Sequence, residues 1–166
     1  MRFVDLAAGQ SVFVDANPLV DHFSANPNTG LACQSLLKRI AKKEIVGFTS
    51  VHVLGEMTHR LMTIEACTLF GWPYKGIAQR LARHPAEIAK LSAFRQAIDD
   101  VIAFGLQVVS VLPHHVSFAA DLTRLHGLLY NDALIVAVMQ DHGLQNLASG
   151  DADFDRVAAI KRYAPK

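Results

Sequence analysis

Four short apolar runs, SVFVDA, EIVGFTS, LQVVSVL and LQNLASGD, recur along the chain, and helical patterning separates each from the next. Strands that alternate with helices are joined by crossovers and lie parallel, and a parallel sheet needs helices over both of its faces. The pattern predicts an α/β protein of three layers, α/β/α, around a central parallel sheet of four or five strands. NTGLACQSLLKRIAKKE sets Leu31, Leu36, Leu37 and Ile40 against basic residues, as a surface helix does. NDALIVAVMQDHG is apolar nearly all round and closes at Gly143, which describes a helix buried in the centre. From Thr63 to Phe104 no strand signal occurs. FGWPYKG interrupts this stretch and Pro85 opens a second helix, so it reads as a helical hairpin inserted into the α/β pattern.

A chain of 166 residues buries enough surface to stand as one domain, expected here to span residues 1–166. Half of it is apolar, yet no run of about 18 uncharged apolar residues occurs and the N-terminus lacks the pattern of a signal peptide. A soluble cytoplasmic protein with no membrane association is the expectation. Cys33 and Cys67 stand in no metal-type or CxxC spacing and read as reduced, buried small hydrophobes. With a net charge of +1, any contact with nucleic acid has to come from a local patch.

In a parallel α/β sheet, ligands bind beyond the carboxyl ends of the strands, where loops and helix N-termini converge. Asp15 closes SVFVD, Glu56 follows VGFTS, Asp132 begins the buried helix, and Asp151 and Asp153 follow NLASG. Acids from distant segments can therefore meet at one sheet edge. At 100° per residue, His52, His59, Arg60 and Thr63 share the face of Glu56, whereas Leu54, Met57, Leu61 and Ile64 form a core face. Each acid also has a plainer reading: Asp15 and Asp132 as helix caps or first-turn acids, Glu56 as a solvated residue, SGDADFD as a turn. A joint cluster of four carboxylates would repel itself and its pKa values would rise, so it calls for a cation. Oxygen-only ligands suit Mg²⁺ or Mn²⁺, which leave positions open for phosphate oxygens.

FVDANPLVDHF, TSVHVLGEM, GLLYNDALIVAVM and LASGDADFDRV, in that order and separation, resemble the four signature segments of PIN-domain ribonucleases, specifically the VapC-type toxins of prokaryotic toxin–antitoxin pairs. The resemblance runs from about residue 11 to 160. It implies a Mg²⁺- or Mn²⁺-dependent endoribonuclease, commonly homodimeric and commonly held inactive by a partner antitoxin. Asp15, Glu56, Asp132 and Asp151 match the four acids, and Asp153 is an alternative fourth. Ser149 matches the hydroxyl that precedes the fourth acid by two, and Asn17 and Ser149 are expected to orient carboxylates or metal waters. The stretch from Thr63 to Phe104 is longer than in many small members.

Other constellations compete less well. EMTH has the Glu-x-x-His spacing of di-iron bundles, but no second copy exists and the strands contradict a bundle. His114 and His115 sit at a strand-to-helix junction and the other histidines are scattered, which favours structural roles over zinc. FVDAN, IVGFTS and GDADFD imitate haloacid-dehalogenase phosphatases, although Asn17 replaces the general acid and Glu56 and Asp132 go unexplained. A PIN-like domain that binds RNA or a partner without cleaving is a third reading. Lys38, Arg39, Lys42 and Lys43 read as a solvated helix face; Arg60, Lys75, Arg80 and Arg83, nearer the acidic edge, are the better candidates for RNA contact. The hairpin carries Leu69, Phe70, Trp72, Ile77, Leu81, Ile88, Leu91 and Phe94, an apolar excess expected to serve as a homodimer contact or a groove for a partner's helix.

Overall fold

The computed structural model describes residues 1–166. Five parallel strands, β1 (Ser11–Val14), β2 (Val46–Ser50), β3 (Gln107–Val109), β4 (Asn146–Ala148) and β5 (Lys161–Tyr163), form one sheet in the order β3-β2-β1-β4-β5. The chain builds outward from β1 through β2 to β3, then returns to the other side of β1 for β4 and β5. Its switch point therefore lies between β1 and β4, where Val14 pairs with Ala148. The four sequence-derived strands are all present; β5 is added.

Helices α1 (Ala16–Phe23) and α2 (Gly30–Ala41) connect β1 to β2, and α1 packs against both α2 and α3 (Val51–Phe70). Three further helices, α4 (Ile77–Ala82), α5 (Pro85–Ile88) and α6 (Ala93–Ala103), lead to β3, and α6 packs back on α3. After β3 the chain reverses direction along the sheet, so right-handed crossover places α7 (Pro113–His126) and α8 (Tyr130–Asp141) on the opposite face, where they pack together. No helix is long and apolar enough to cross a membrane.

Burial follows the patterning. Ala133 to Met139 of α8 are buried without a break, as its all-round apolar sequence requires. Along α2 the buried face is Cys33, Leu36, Leu37 and Ile40, with Leu31 left exposed. On α3 Val53, Met57 and Leu61 face the core; Thr63 lies with His59 and Arg60 on the other side but is buried, its hydroxyl donating to the carbonyl of Arg60.

The stretch from Thr63 to Phe104 differs from a simple hairpin. The 20-residue α3 absorbs its beginning and ends at Gly71 in the left-handed region, and two short helices then precede α6. Pro85 does open a helix, of only four residues. Ala66, Ile77, Leu81 and Leu91 form a second small core, against which Phe70, Trp72, Ile88 and Phe94 pack. Most of the apolar excess is thus consumed inside the chain, and only Leu69 of the eight is largely exposed, at 56%. The ground for expecting a self-association face on that stretch falls away with it.

Candidate active site

Parallel pairing of β1 with β4 sets Asp15 beside Ser149, one residue beyond each strand. Asp15 is buried and serves as the N-cap of α1: its Oδ1 accepts from the amide of Ala16 at 2.6 Å. Its Oδ2 accepts from the Ser149 hydroxyl at 2.7 Å and from the Asn17 amide at 2.6 Å. Asn17 also donates to Ser149 Oγ at 3.1 Å, and its Oδ1 accepts from the Gly150 amide at 2.8 Å. Ser149 Oγ accepts in addition from the Asp151 amide at 3.0 Å, so Asp15, Asn17, Ser149 and Asp151 form one connected network. The cap reading of Asp15 and its place in the acid cluster are both realised.

Asp132 lies in the first turn of α8, but the N-cap position there is Leu129 and no side chain caps the helix. Its carboxyl is pushed up to about 6, first by burial and then by repulsion from Asp151, Asp15, Glu56 and Asp153. Asp15 is likewise raised to about 6, chiefly by burial, with the Ser149 and Ala16 hydrogen bonds pulling the other way and Glu56 adding repulsion. Acids from four separate segments thus act on one another at one end of the sheet, as strand ends and helix starts require.

Glu56, Asp132 and Asp151 line a cavity of about 400 Å³ together with Leu129, Tyr130 and Asn131. A neighbouring space of about 520 Å³ is bounded by Asn17, Asp21, Thr29, Arg60, Gly150 and Asp151. Asp151 thus borders both. Asp153 borders neither and pairs with Arg156 at 2.9 Å, while Asp151 Oδ1 accepts from the Asp153 amide at 2.8 Å. The larger repulsion on Asp132 also comes from Asp151. Geometry therefore favours Asp151 of the two.

The basic candidates divide. Arg60 stands one helical turn from Glu56 at 3.8 Å and on the rim of the larger space. Lys75, Arg80 and Arg83 are exposed on the segment between α3 and α5 and make no ion pair; the Arg80 guanidinium lies 5.4 Å from the centre of the Trp72 ring. Asp21 was not anticipated from sequence. Its oxygens are committed locally, accepting from Asn26 at 2.9 Å and Thr29 at 2.6 Å, which holds the α1–α2 connection beside the site. Its signal was the Asx-rich SANPNT that follows it.

His114, His115 and Asp141 also come together, their ligating atoms within 4.8 Å. The amide of Leu112 donates to His115 Nδ1 at 3.0 Å, so the neutral ring carries its proton on Nε2 and donates to Asp141 at 3.0 Å. A ring held in that tautomer has no lone pair on Nε2 for a metal. The trio closes the start of α7 against the end of α8, the structural role expected for these histidines.

Known proteins resemble the chain over nearly its whole length. It is 26% identical over 150 residues, 88% of each chain, to ribonuclease VapC2 of Methanocaldococcus jannaschii. Among solved structures, VapC20 of Mycobacterium tuberculosis, a toxin that cleaves the sarcin-ricin loop, superposes with a TM-score of 0.62 at 22% identity, covering 89% of this chain and 95% of the other. VapBC2 of Rickettsia felis bound to a promoter DNA fragment gives 0.57 at 15% identity, with coverage of 93% and 98%. These structures share the three-layer fold. The PIN domain pattern itself matches residues 12–160, from the first strand through all four acid-bearing segments, and the chain belongs to the PIN domain family.

Proposed function

We propose that the chain is a divalent-metal-dependent endoribonuclease, the toxin of a toxin–antitoxin pair, acting in the cytoplasm. The observation that carries this reading is Asp132, which shares a cavity with Glu56 and Asp151 and whose carboxyl is driven up by burial and then by repulsion from four other acids. Such a set is stable in its ionised form only with a cation among it, and its donors are all oxygen, as Mg²⁺ or Mn²⁺ prefers.

The side chains divide the work. Asp132 accepts no hydrogen bond and all its lone pairs are free, which suits the principal ligand. Asp15 already receives three donors, about three of its four lone-pair sites, so it offers little more than one, rigidly aimed. Glu56 serves as a further ligand or as the base that takes a proton from the attacking water, and Asp151 serves a second, weaker ion. Asn17 and Ser149 hold Asp15 in place. The chemistry that bound divalent ions supply is neutralisation of phosphoryl charge and a lower pKa for water.

Phosphatase chemistry of the haloacid-dehalogenase kind loses ground on two contacts. Asp155, which would complete its GDxxxD segment, is taken by Arg162 in a bidentate pair at 2.8 and 2.7 Å. Asn17 cannot donate a proton to a leaving group. The antitoxin reading is supported by relatives solved as VapBC2 and as a toxin–antitoxin complex of Klebsiella pneumoniae. A homodimer or antitoxin contact finds its best surface on α7 and the start of α8, where Val116, Phe118, Leu125 and Leu129 are exposed.

The reading is tested by incubating the purified chain with total RNA: cutting with Mn²⁺ and its loss on adding EDTA support it, and intact RNA with Mn²⁺ sinks it. Hydrolysis of p-nitrophenyl phosphate should be absent. A finer expectation attaches to Ser149→Ala, which removes the hydroxyl that holds the Asp15 carboxyl down. Cleavage should fall about 10- to 100-fold, the usual effect of losing a group that orients a ligand, and the acid limb of the pH–rate profile should move to higher pH. An unmoved limb would reduce Ser149 to a packing role.

A further inference from the structure

Beyond Arg60, away from the acids, lies a separate cavity of about 280 Å³ between α3 and the start of α4. One wall is α3, presenting His59 and Arg60; the other is the connecting segment, presenting Tyr74, Ile77 and Gln79. Arg60 is the shared wall between this cavity and the larger space bounded by Asn17, Gly150 and Asp151. Its only ion-pair partner is Glu56 at 3.8 Å, a loose contact that leaves most of its donors free.

The chemistry of the lining is that of base recognition. Tyr74 is 68% exposed, its ring open to a stacking partner. Gln79 carries a donor and an acceptor side by side, as a base edge does, and the side chains of His59, Tyr74 and Gln79 make no hydrogen bond within the chain. The surrounding segment is cationic: Lys75, Arg80 and Arg83 are exposed and unpaired. A polyanion is repelled by the carboxylates at the site and has to be held by charge next to it, which this segment supplies.

We propose that this cavity holds the base of a nucleotide flanking the cut in a single-stranded or looped RNA. The base stacks on Tyr74, its edge is read by Gln79, and Arg60 grips the phosphate between that nucleotide and the acids. A base inside a duplex could not enter, because it must first leave its stack. The inference rests on the endoribonuclease reading and names the substrate feature that the same site selects.

The test uses the intact chain and a set of fluorescein-labelled single-stranded RNAs that vary one nucleotide at a time around the cut. Tyr74→Ala should lower kcat/KM by about 5- to 150-fold, the range covered by loss of one base–aromatic stack, and Tyr74→Phe should restore it. Gln79→Ala should flatten the preference at one flanking position and leave the others unchanged. Wild-type kcat/KM and wild-type preference in both alanine variants would overturn the subsite while the nuclease reading stands. If the wild type cuts none of the RNAs, the nuclease reading falls, and the subsite is decided by fluorescence anisotropy with the same RNAs in EDTA. Weaker binding by Tyr74→Ala with rescue by Tyr74→Phe sustains it, and equal or absent binding rejects it.

Discussion

Asp132→Asn, nearly isosteric, is expected to melt higher than wild type in EDTA, by up to about 4 °C, and to bind Mn²⁺ at least tenfold more weakly. Asp132 makes no hydrogen bond or ion pair whose loss would cost stability, and what acts on it is burial and repulsion from Asp151, Asp15, Glu56 and Asp153. Removing the charge relieves that repulsion. Discounted for its half-exposed position, the relief is about 1 kcal/mol, and for a chain of this size that corresponds to the stated rise in Tm. Loss of a first-turn acid from α8 works in the opposite direction by up to a similar amount, so the sign of the shift reports which effect dominates. A lower Tm in EDTA with unchanged Mn²⁺ affinity would make Asp132 an ordinary helix-start acid. The paired observations are melting curves and a Mn²⁺ titration on the two proteins.

The second large effect is on pH. Asp15 and Asp132 both have carboxyl pKa values near 6 in the folded chain against 3.8 ordinarily. Between about pH 4 and pH 6 the unfolded chain releases protons that the folded chain keeps, so stability without metal should fall as pH rises through this window. For Asp15, buried as it is, the difference is on the order of 3 kcal/mol. Asp141 and Asp155, held low by His115 and Arg162, lose their stabilising contribution only as pH drops below 3.8, outside the window. His22, lowered by burial, works against the trend, because the unfolded chain takes up a proton there as pH falls below 6.5. Two carboxyls outweigh one imidazole, and Asp132→Asn isolates its own share by difference. Metal requires the deprotonated carboxylates, so Mn²⁺ should reverse the slope and raise Tm most above pH 6. A metal-free Tm that climbs steadily from pH 4 to pH 7 would contradict the acid cluster.

The core and the acid positions were legible in the sequence because both follow from periodicity. VFV, VGFTS and NLAS are apolar runs with no helical period, and the acid after each is where a parallel sheet collects its ligands. β5 was not legible: KRY offers two cations and no apolar run, and it becomes a strand because β4 presents an open edge, with Asn146 opposite Lys161 and Ala148 opposite Tyr163. The edge pairing matters to the site, since the amide of Ser149 donates to the carbonyl of Tyr163 at 2.9 Å. Thr63 does lie on the side of α3 that carries His59 and Arg60, but its burial was not legible, because the segment from Tyr74 to Gln79 folds back opposite it. The apolar segment after α3 was visible as an excess but not its destination; tertiary folding of Ile77, Leu81 and Leu91 over Ala66 made a second core from what sequence alone left open. Asp151 and Asp153 could not be separated on paper, since both lie within a turn of one strand end. The short helix Ala152–Arg156, which Asp151 caps and in which Asp153 turns to Arg156, distinguishes them.

Glu56 has no ion pair other than a loose one with Arg60 at 3.8 Å, and it lines the cavity with Asp132 and Asp151. Its substitution should not disturb folding, because exposed pairs of that kind contribute about 0–1 kcal/mol. The decisive measurement is the rate of cutting of one labelled RNA by wild type, Glu56→Gln and Asp132→Asn, each at saturating Mn²⁺ and each shown by its melting curve to be folded. Both variants are expected to cut more than about a hundredfold more slowly than wild type, beyond the range of groups that merely orient a ligand. Either variant cutting at the wild-type rate would show that the acids at the end of this sheet are not the cleavage site.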